Sequence, residues 1–403
     1  MLKLLAFGLL AGGIADLATH LVTPFVAQAA RAARVVEYPT ARRIQRRPVP
    51  RLGGLALAVG LVLAAGAVSL ARWTEWGGRV EGGDLLAFGF STALVFLVGF
   101  ADDIYGAALW RRLAMVLMAS SVVVLAGWRF TAIGVPFGGT VDLGVAGPVL
   151  TVAWIAGVTV VVGLIDGLDG LAGGVVAVIA ATLMVYGALQ GNVFTVILMG
   201  AVTGACAAFL RWNARGEILM GSSGSLTLGF ILGAMTVHAS LKAPAAVAVL
   251  APILALGVPV MDAVFVVAER ILRRPRGYLG RRTGRVLGGA GHVHHLLAEW
   301  VPGRTVAVWG MYALVVASCL AAMIVVVRES AELGAVLVFL EAVVVAGLRR
   351  AGYAARARAQ ARARRRAACD LVQTESGSMA VVGDDGVLSF AGRDGGPVDL
   401  VEG

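Results

Sequence analysis

Two aspartates three residues apart, Asp166 and Asp169, stand in the run GLIDGLDGLAGG at 163–174, where one apolar segment ends and the next begins. Carboxylates at that spacing share a face of a helix that carries them. Charge at the edge of a membrane segment is costly enough to imply a task. Three further polar clusters punctuate the chain: GFADDIYG (99–106) with Asp102 and Asp103, GSSGSLTLGF (221–230) with Ser222 and Ser225, and GHVHHLLAEW (291–300) with His292, His294 and His295. Adjacent acids can hold Mg²⁺ or serve as a general base, because crowded like charges favour keeping one proton. A glycine-rich turn opening a helix offers free backbone N–H groups and the positive helix end to a phosphate. The histidines have no cysteine or nearby acid to complete a closed zinc set, and suit hydrogen bonding to phosphate or sugar. Each cluster also has a plainer reading: a solvated helix end, an N-cap with tight glycine packing, a capped helix start, a surface histidine group. Asp262, inside GVPVMDAVFVVAER, is a further acid in apolar surroundings, and Arg270 is too far along the helix to pair with it. His20, His238 and Glu341 read as packing or interface residues.

The elements that must position these groups are membrane helices. Of the 403 residues 59% are hydrophobic and only 14% charged, with mean hydropathy +0.86, whereas a soluble domain carries about 25% charged residues. The fold class is therefore all-α and polytopic, with about ten to eleven spans of the length a bilayer requires. The apolar runs are 4–28, 52–71, 85–101, 113–128, 147–165, 171–190, 193–210, 225–241, 245–268, 305–327 and 333–348. The first has Lys3 and a small-residue AQA near 27–29, like a signal peptide, but it is long for one and reads as a retained helix.

Arginine clusters at 42–51, 111–112, 211–215, 270–285 and 349–366 fix the orientation: N-terminus outside, C-terminus cytoplasmic. Every polar cluster then falls on the cytoplasmic side. The net charge of +10 is mostly this bias, with attraction to anionic lipid headgroups, and a nucleic-acid partner is not expected. The three cysteines form no disulfide framework. Residues 1–350 read as one transmembrane unit. Beyond it, 351–366 is a basic run read as an interfacial anchor, and 370–403 reads as disordered or loosely folded. On the outer side, 129–146 suits a small hairpin.

The order of these motifs resembles the polyprenyl-phosphate N-acetylhexosamine-1-phosphate transferases (glycosyltransferase family 4, the N-acetylglucosamine-phosphate branch). The matching pieces are YPTARRIQRRPVPRLGGLA (38–56), GFADD (99–103), DGLDGLAGG (166–174), Asn213 with MGSSGSLTLGF (220–230), VPVMD (258–262) with Arg270, and HVHH (292–295). The resemblance implies a multi-pass enzyme of the bacterial cytoplasmic membrane. It would transfer sugar-1-phosphate from a UDP-N-acetylhexosamine to a polyprenyl phosphate, releasing UMP and starting a cell-envelope glycan. By position, Asp102 and Asp103 would activate or orient the lipid phosphate, and Asp166 and Asp169 would shape the nucleotide and magnesium site. His292, His294 and His295 would hold phosphate and sugar, with Asn213, Ser222 and Ser225 beside the substrates. Arg42, Arg43 and Arg51 would meet the lipid headgroup, and the lipid tail would lie in a groove between helices. A homodimer is compatible with this reading.

The chain departs from the resembled pattern at several places. Ser222 stands where the family carries an acidic magnesium ligand, and Gly163 where it carries an asparagine. Gly289 and Gln45 likewise replace an expected acid and histidine. A serine hydroxyl is a weak magnesium ligand. A catalytically impaired relative that binds lipid phosphate or nucleotide sugar as a partner or regulator is therefore the alternative. A transporter using the intramembrane acids is a third reading, but it expects polar residues at mid-membrane depth rather than at one edge.

Overall fold

The computed structural model describes residues 1–38, 48–73, 82–135, 139–241, 250–272, 292–293, 296–297, 303–376, 379–382 and 388–391. The helices in chain order are α1 (Leu2–Ala32), α2 (Gly53–Trp73), α3 (Gly82–Tyr105), α4 (Leu109–Leu125), α5 (Ala146–Ile165), α6 (Leu171–Leu189), α7 (Val193–Asn213), α8 (Gly221–Ser240), α9 (Leu250–Ala255), α10 (Gly257–Leu272), α11 (Arg304–Arg328) and α12 (Ala331–Ser376). Each predicted apolar run coincides with helix, so the chain is an all-α polytopic membrane protein. Seven of the described helices are long and apolar enough to cross a bilayer by composition alone.

The others fall short for local reasons. The ninth run is interrupted at Leu256 and forms two helices, α9 and α10. At the break Gly257 lies against the Glu341 carboxylate of α12, whose Oε1 accepts a hydrogen bond from Ser318 Oγ at 2.6 Å. Helix α8 begins Gly-Ser-Ser-Gly-Ser, yet it is buried on every side, as a helix without a polar face should be. Beyond its first turn its hydroxyls return to its own carbonyls, Ser225 Oγ to Gly221 O at 2.9 Å and Thr227 Oγ1 to Ser223 O at 2.6 Å, so they face the apolar interior already matched.

Helix α7 packs along α1 through small residues on both. A Cβ placed on Gly200 would overlap the Gly8 carbonyl, and one on Gly204 would overlap that of Gly12. Two small-xxx-small pairs thus bring backbone onto backbone, the close approach that favours helix association in a bilayer. Arg211 of α7 and Asp16 of α1 pair beside this seam, and Trp212 Nε1 donates to His20 Nδ1 at 3.3 Å. Gly204→Val should cost about 1–3 kcal/mol of stability, read as a lower melting temperature in detergent. Gly13→Val, where a Cβ meets nothing within 4 Å, should leave the melting temperature unchanged.

Three small hairpins complete the described chain. β1 (Val36–Glu37) pairs antiparallel with β2 (Val49–Pro50) and carries the arginine-rich segment between them. β3 (Ala132–Val135) pairs with β4 (Gly139–Asp142), the hairpin expected on the outer side. β5 (Met379–Val382) and β6 (Leu388–Ala391) form a third, where the sequence suggests a tail without order. The basic run 351–366 continues helix α12, whose 46 residues run without a break, about 69 Å at 1.5 Å per residue against a hydrocarbon core of about 30 Å.

Candidate active site at one end of the bundle

The start of α2 and the start of α8 are tied by backbone. Leu219 N donates to Pro50 O at 2.8 Å, Gly53 N to Leu219 O at 2.9 Å and Gly54 N to Met220 O at 2.8 Å. This lays Arg51 over the opening of α8. Gly221 there has φ +74°, and a Cβ would come 2.5 Å from both Arg51 O and Asp103 Oδ2, so only glycine fits.

The carboxylate of Asp103 fills the space in front of α8. It accepts from Ser222 N at 2.7 Å, Ser223 N at 2.9 Å and Ser223 Oγ at 2.6 Å, and it pairs with Arg51 Nε at 3.2 Å. Four donors match the acceptor capacity of one carboxylate. Asp103 is thus an N-cap delivered from a different helix, satisfying donors that α8 cannot satisfy itself. The expectation that this glycine-rich turn presents free N–H groups to a phosphate is corrected: the first two N–H groups of the Ser222–Ser223 pair already face an internal anion.

Its neighbour Asp102 turns elsewhere. It accepts from Arg112 Nη1 at 3.0 Å, from Ala107 N at 2.5 Å and from Ser222 Oγ at 2.5 Å. The two acids are buried, and each faces its own arginine. Arg112, in the first turn of α4, is a site residue that the motif reading missed. Its only signal in the sequence is membership of a cationic pair with Arg111.

The DGLDG run is a turn between α5 and α6 rather than a helix face, and Asp166 and Asp169 sit half-buried within it. The turn is held from two sides. Asn213 Oδ1 accepts from Gly170 N at 2.7 Å while its Nδ2 donates to Ile218 O at 2.8 Å. Tyr312 Oη donates to Gly170 O at 2.6 Å. Buried Asn213, expected beside substrate, has both ends of its amide engaged within the protein.

A second polar network joins α10, α12 and the histidine motif. Asp262 Oδ2 meets His292 Nδ1 at 2.9 Å, and its Oδ1 accepts from Val293 N at 3.0 Å and Arg349 Nη1 at 2.8 Å. Arg349 Nη2 reaches Glu269 at 2.7 Å, and Tyr353 Oη donates to the same carboxylate at 3.1 Å. Asp262 thus finds its cation on another helix, as its distance along the chain from Arg270 requires. His294, His295 and Arg43 lie outside the described residues.

Two connected spaces open beside Asp102. A pocket of about 110 Å³ is lined by Arg112, Gly163, Ser222 and Ser225. It shares Leu113, Val160 and Leu164 with an apolar groove of about 700 Å³ between α4, α5 and α10. Gly163 and Ser222, two of the four departures from the resembled pattern, therefore face one pocket. Among the described residues, no three acidic, histidine or cysteine side chains converge as a metal site. Magnesium prefers carboxylate and water oxygens. Here Ser222 is neutral and the oxygens of Asp102 and Asp103 already accept from arginines, hydroxyls and amides. Ser222, Asp102 and Asp103 therefore do not form a carboxylate-held magnesium site.

Residues 85–240 match the model of glycosyl transferase family 4. The chain is 30% identical over 256 residues to a probable undecaprenyl-phosphate N-acetylglucosaminyl 1-phosphate transferase of Bacillus subtilis, covering 63% of this chain and 69% of that protein. It is 32% identical over 247 residues to a decaprenyl-phosphate N-acetylglucosaminephosphotransferase of Mycolicibacterium smegmatis, covering 57% of this chain and 60% of that protein. A phospho-N-acetylmuramoyl-pentapeptide-transferase of Desulforudis audaxviator is 33% identical over 254 residues, with 75% of its length covered. The matched segment contains the Asp102–Asp103 pair, the DGLDG turn and the opening of α8, and on these grounds the chain belongs to glycosyl transferase family 4.

Proposed function

We propose that the protein transfers N-acetylhexosamine-1-phosphate from a UDP-sugar to a polyprenyl phosphate at the cytoplasmic face of the bacterial cytoplasmic membrane, initiating a cell-envelope glycan. The observation that carries this reading is the apolar groove of about 700 Å³ that runs into a pocket with Arg112, Ser222 and Ser225 at its head. A long prenyl chain with a phosphate at one end has that polarity. The activities for which the Bacillus and Mycolicibacterium relatives are named support it.

In the reaction an oxygen of the lipid phosphate attacks the β-phosphorus of the UDP-sugar. A new P–O–P bond forms, the bond from that phosphorus to the bridging oxygen breaks, and UMP leaves with the electron pair. Positioning and charge compensation are the main catalytic demands. Asp102 lies next to the pocket and is the carboxylate proposed to orient the attacking phosphate. Asp166 and Asp169 are proposed to face the nucleotide, whose magnesium needs only one or two carboxylates besides substrate phosphates. His292, His294, His295 and Arg43 complete the proposed substrate-facing set, with Arg51 and Asp103 fixing the start of α8.

The test is UMP release by purified protein in detergent with Mg²⁺, a polyprenyl phosphate and UDP-N-acetylglucosamine, alongside the double variant Gly163→Asn/Ser222→Asp. Release by the parent chain is the expected result. Release by the double variant alone would favour the impaired relative, with the scaffold intact and turnover lost at those two positions. No release from either, across several UDP-hexosamines, would overturn the transferase reading.

A further inference from the structure

We infer that Tyr312 is a positioning residue for the nucleotide half of the site: its hydroxyl holds the turn between α5 and α6 in the place from which Asp166 and Asp169 face a UDP-sugar. This deepens the transferase reading and rests on it for the nucleotide.

The turn is fixed at one residue. Gly170 has φ +85°, a conformation that glycine adopts without strain, and both polar groups of its backbone are engaged. Its N–H donates to Asn213 Oδ1 at 2.7 Å. Its carbonyl accepts from Gly174 N, in the first turn of α6, at 3.1 Å and from Tyr312 Oη at 2.6 Å, which fills both lone pairs. Asn213 ends α7 and Tyr312 lies in α11, so the two side-chain grips come from different helices. Asp169 precedes Gly170, and its carboxylate lies beside Gly216, where a Cβ would come 3.7 Å from Oδ2. The peptide between Asp169 and Gly170 is planar and stiff, so a shift of Gly170 carries Asp169 with it.

The tyrosine is seated with little tolerance. A Cβ on Gly174 would stand 2.0 Å from Tyr312 Oη and 2.2 Å from its Cζ. The ring therefore lies on the α6 backbone, and the glycine that closes DGLDGLAGG makes room for it. Trp309 packs edge-on against the same ring, with centroids 5.6 Å apart. Packing of α11 on α6 asks only for the ring, and phenylalanine would supply that. The hydroxyl alone reaches the turn.

The experiment measures the affinity of the full-length protein in detergent, with Mg²⁺, for UMP and for farnesyl phosphate by calorimetry, beside UMP release. Tyr312→Phe should weaken UMP about fivefold and raise the KM for UDP-N-acetylglucosamine by a similar factor, as loss of one neutral hydrogen bond should. Its affinity for farnesyl phosphate should equal the parent's, which separates positioning of the turn from a general loosening of the bundle. Gly174→Ala evicts the hydroxyl while leaving Tyr312 in the chain and should also weaken UMP. Adding Tyr312→Phe to Gly174→Ala should cost nothing further. Parental UMP affinity in Tyr312→Phe would overturn the inference, as would an equal loss for farnesyl phosphate or additive losses in the double variant. A parent chain that binds UMP in a Tyr312-dependent way yet releases none from the two substrates would sink the transferase reading alone. Normal turnover with UMP affinity indifferent to Tyr312 would sink this inference alone, and a parent chain that does not bind UMP would overturn both.

Discussion

Asp103→Ala lowers the stability of the protein by about 3–5 kcal/mol, as three orphaned buried donors at about 1–3 kcal/mol each should. The substitution leaves Ser222 N, Ser223 N and Ser223 Oγ without their acceptor and Arg51 without its counter-charge. Asp103→Asn does little better, because one end of its amide then presents donors to donors. Asp102→Asn keeps an oxygen that can accept from Arg112 or Ala107, and should lose activity with a smaller loss of stability. Unfolding of the three variants in detergent, followed beside UMP release, separates the two aspartates. A stable, inactive Asp103→Ala protein would sink the capping role and make Asp103 a purely chemical residue.

Arg349→Met has a comparable effect by the opposite sign of charge. The guanidinium is 6% exposed and bridges Asp262, 4% exposed, and Glu269. Removing it strips Asp262 and Glu269 of the guanidinium they share, a loss of about 3–5 kcal/mol for the buried Asp262 pair. Arg349→Lys restores charge but not the fork that reaches both acids, and should recover only part. If the charges are the cause, Arg349→Met combined with Asp262→Asn and Glu269→Gln should melt closer to the parent than Arg349→Met does. No recovery in the triple variant would show that the packing of the side chain, rather than its charge, is what α10 and α12 depend on. Because Asp262 also holds His292 and Val293, turnover should fall in Arg349→Met even at temperatures where the protein remains folded.

Much of this architecture is legible in the residues because a bilayer enforces it. Helix is the only open-chain way to satisfy the backbone in hydrocarbon, so apolar runs locate helices from Leu2 to Leu348. The break at Leu256 falls inside the run 245–268, where Gly257 and Pro259 mark it: proline has no N–H for Ala255 O, which accepts from Cys319 Sγ instead. The polar clusters were likewise recognisable as clusters, while their wiring was not. GSSGS reads equally as a phosphate cradle or a capped helix, and Asp103, well over a hundred residues earlier in the chain, decides between them. Arg112 and Arg349 escaped notice because an arginine beside a membrane segment is ordinary. Only the fold reveals that one lies against Asp102 and the other between Asp262 and Glu269.

The glycine seam between α1 and α7 bears on how the molecule can change shape. Where backbone rests on backbone there are no side chains to swap rotamers, so these two helices behave as one stiff body. The groove has the opposite construction. Its walls are branched side chains of α4, α5 and α10, and α10 begins at a break in the chain where a few dihedrals can absorb a rotation. The break at Leu256 therefore puts the turn in the chain next to the groove and away from the α1–α7 seam. Arg349 ties α10 to α12, and Asp262 ties His292 and Val293 to α10.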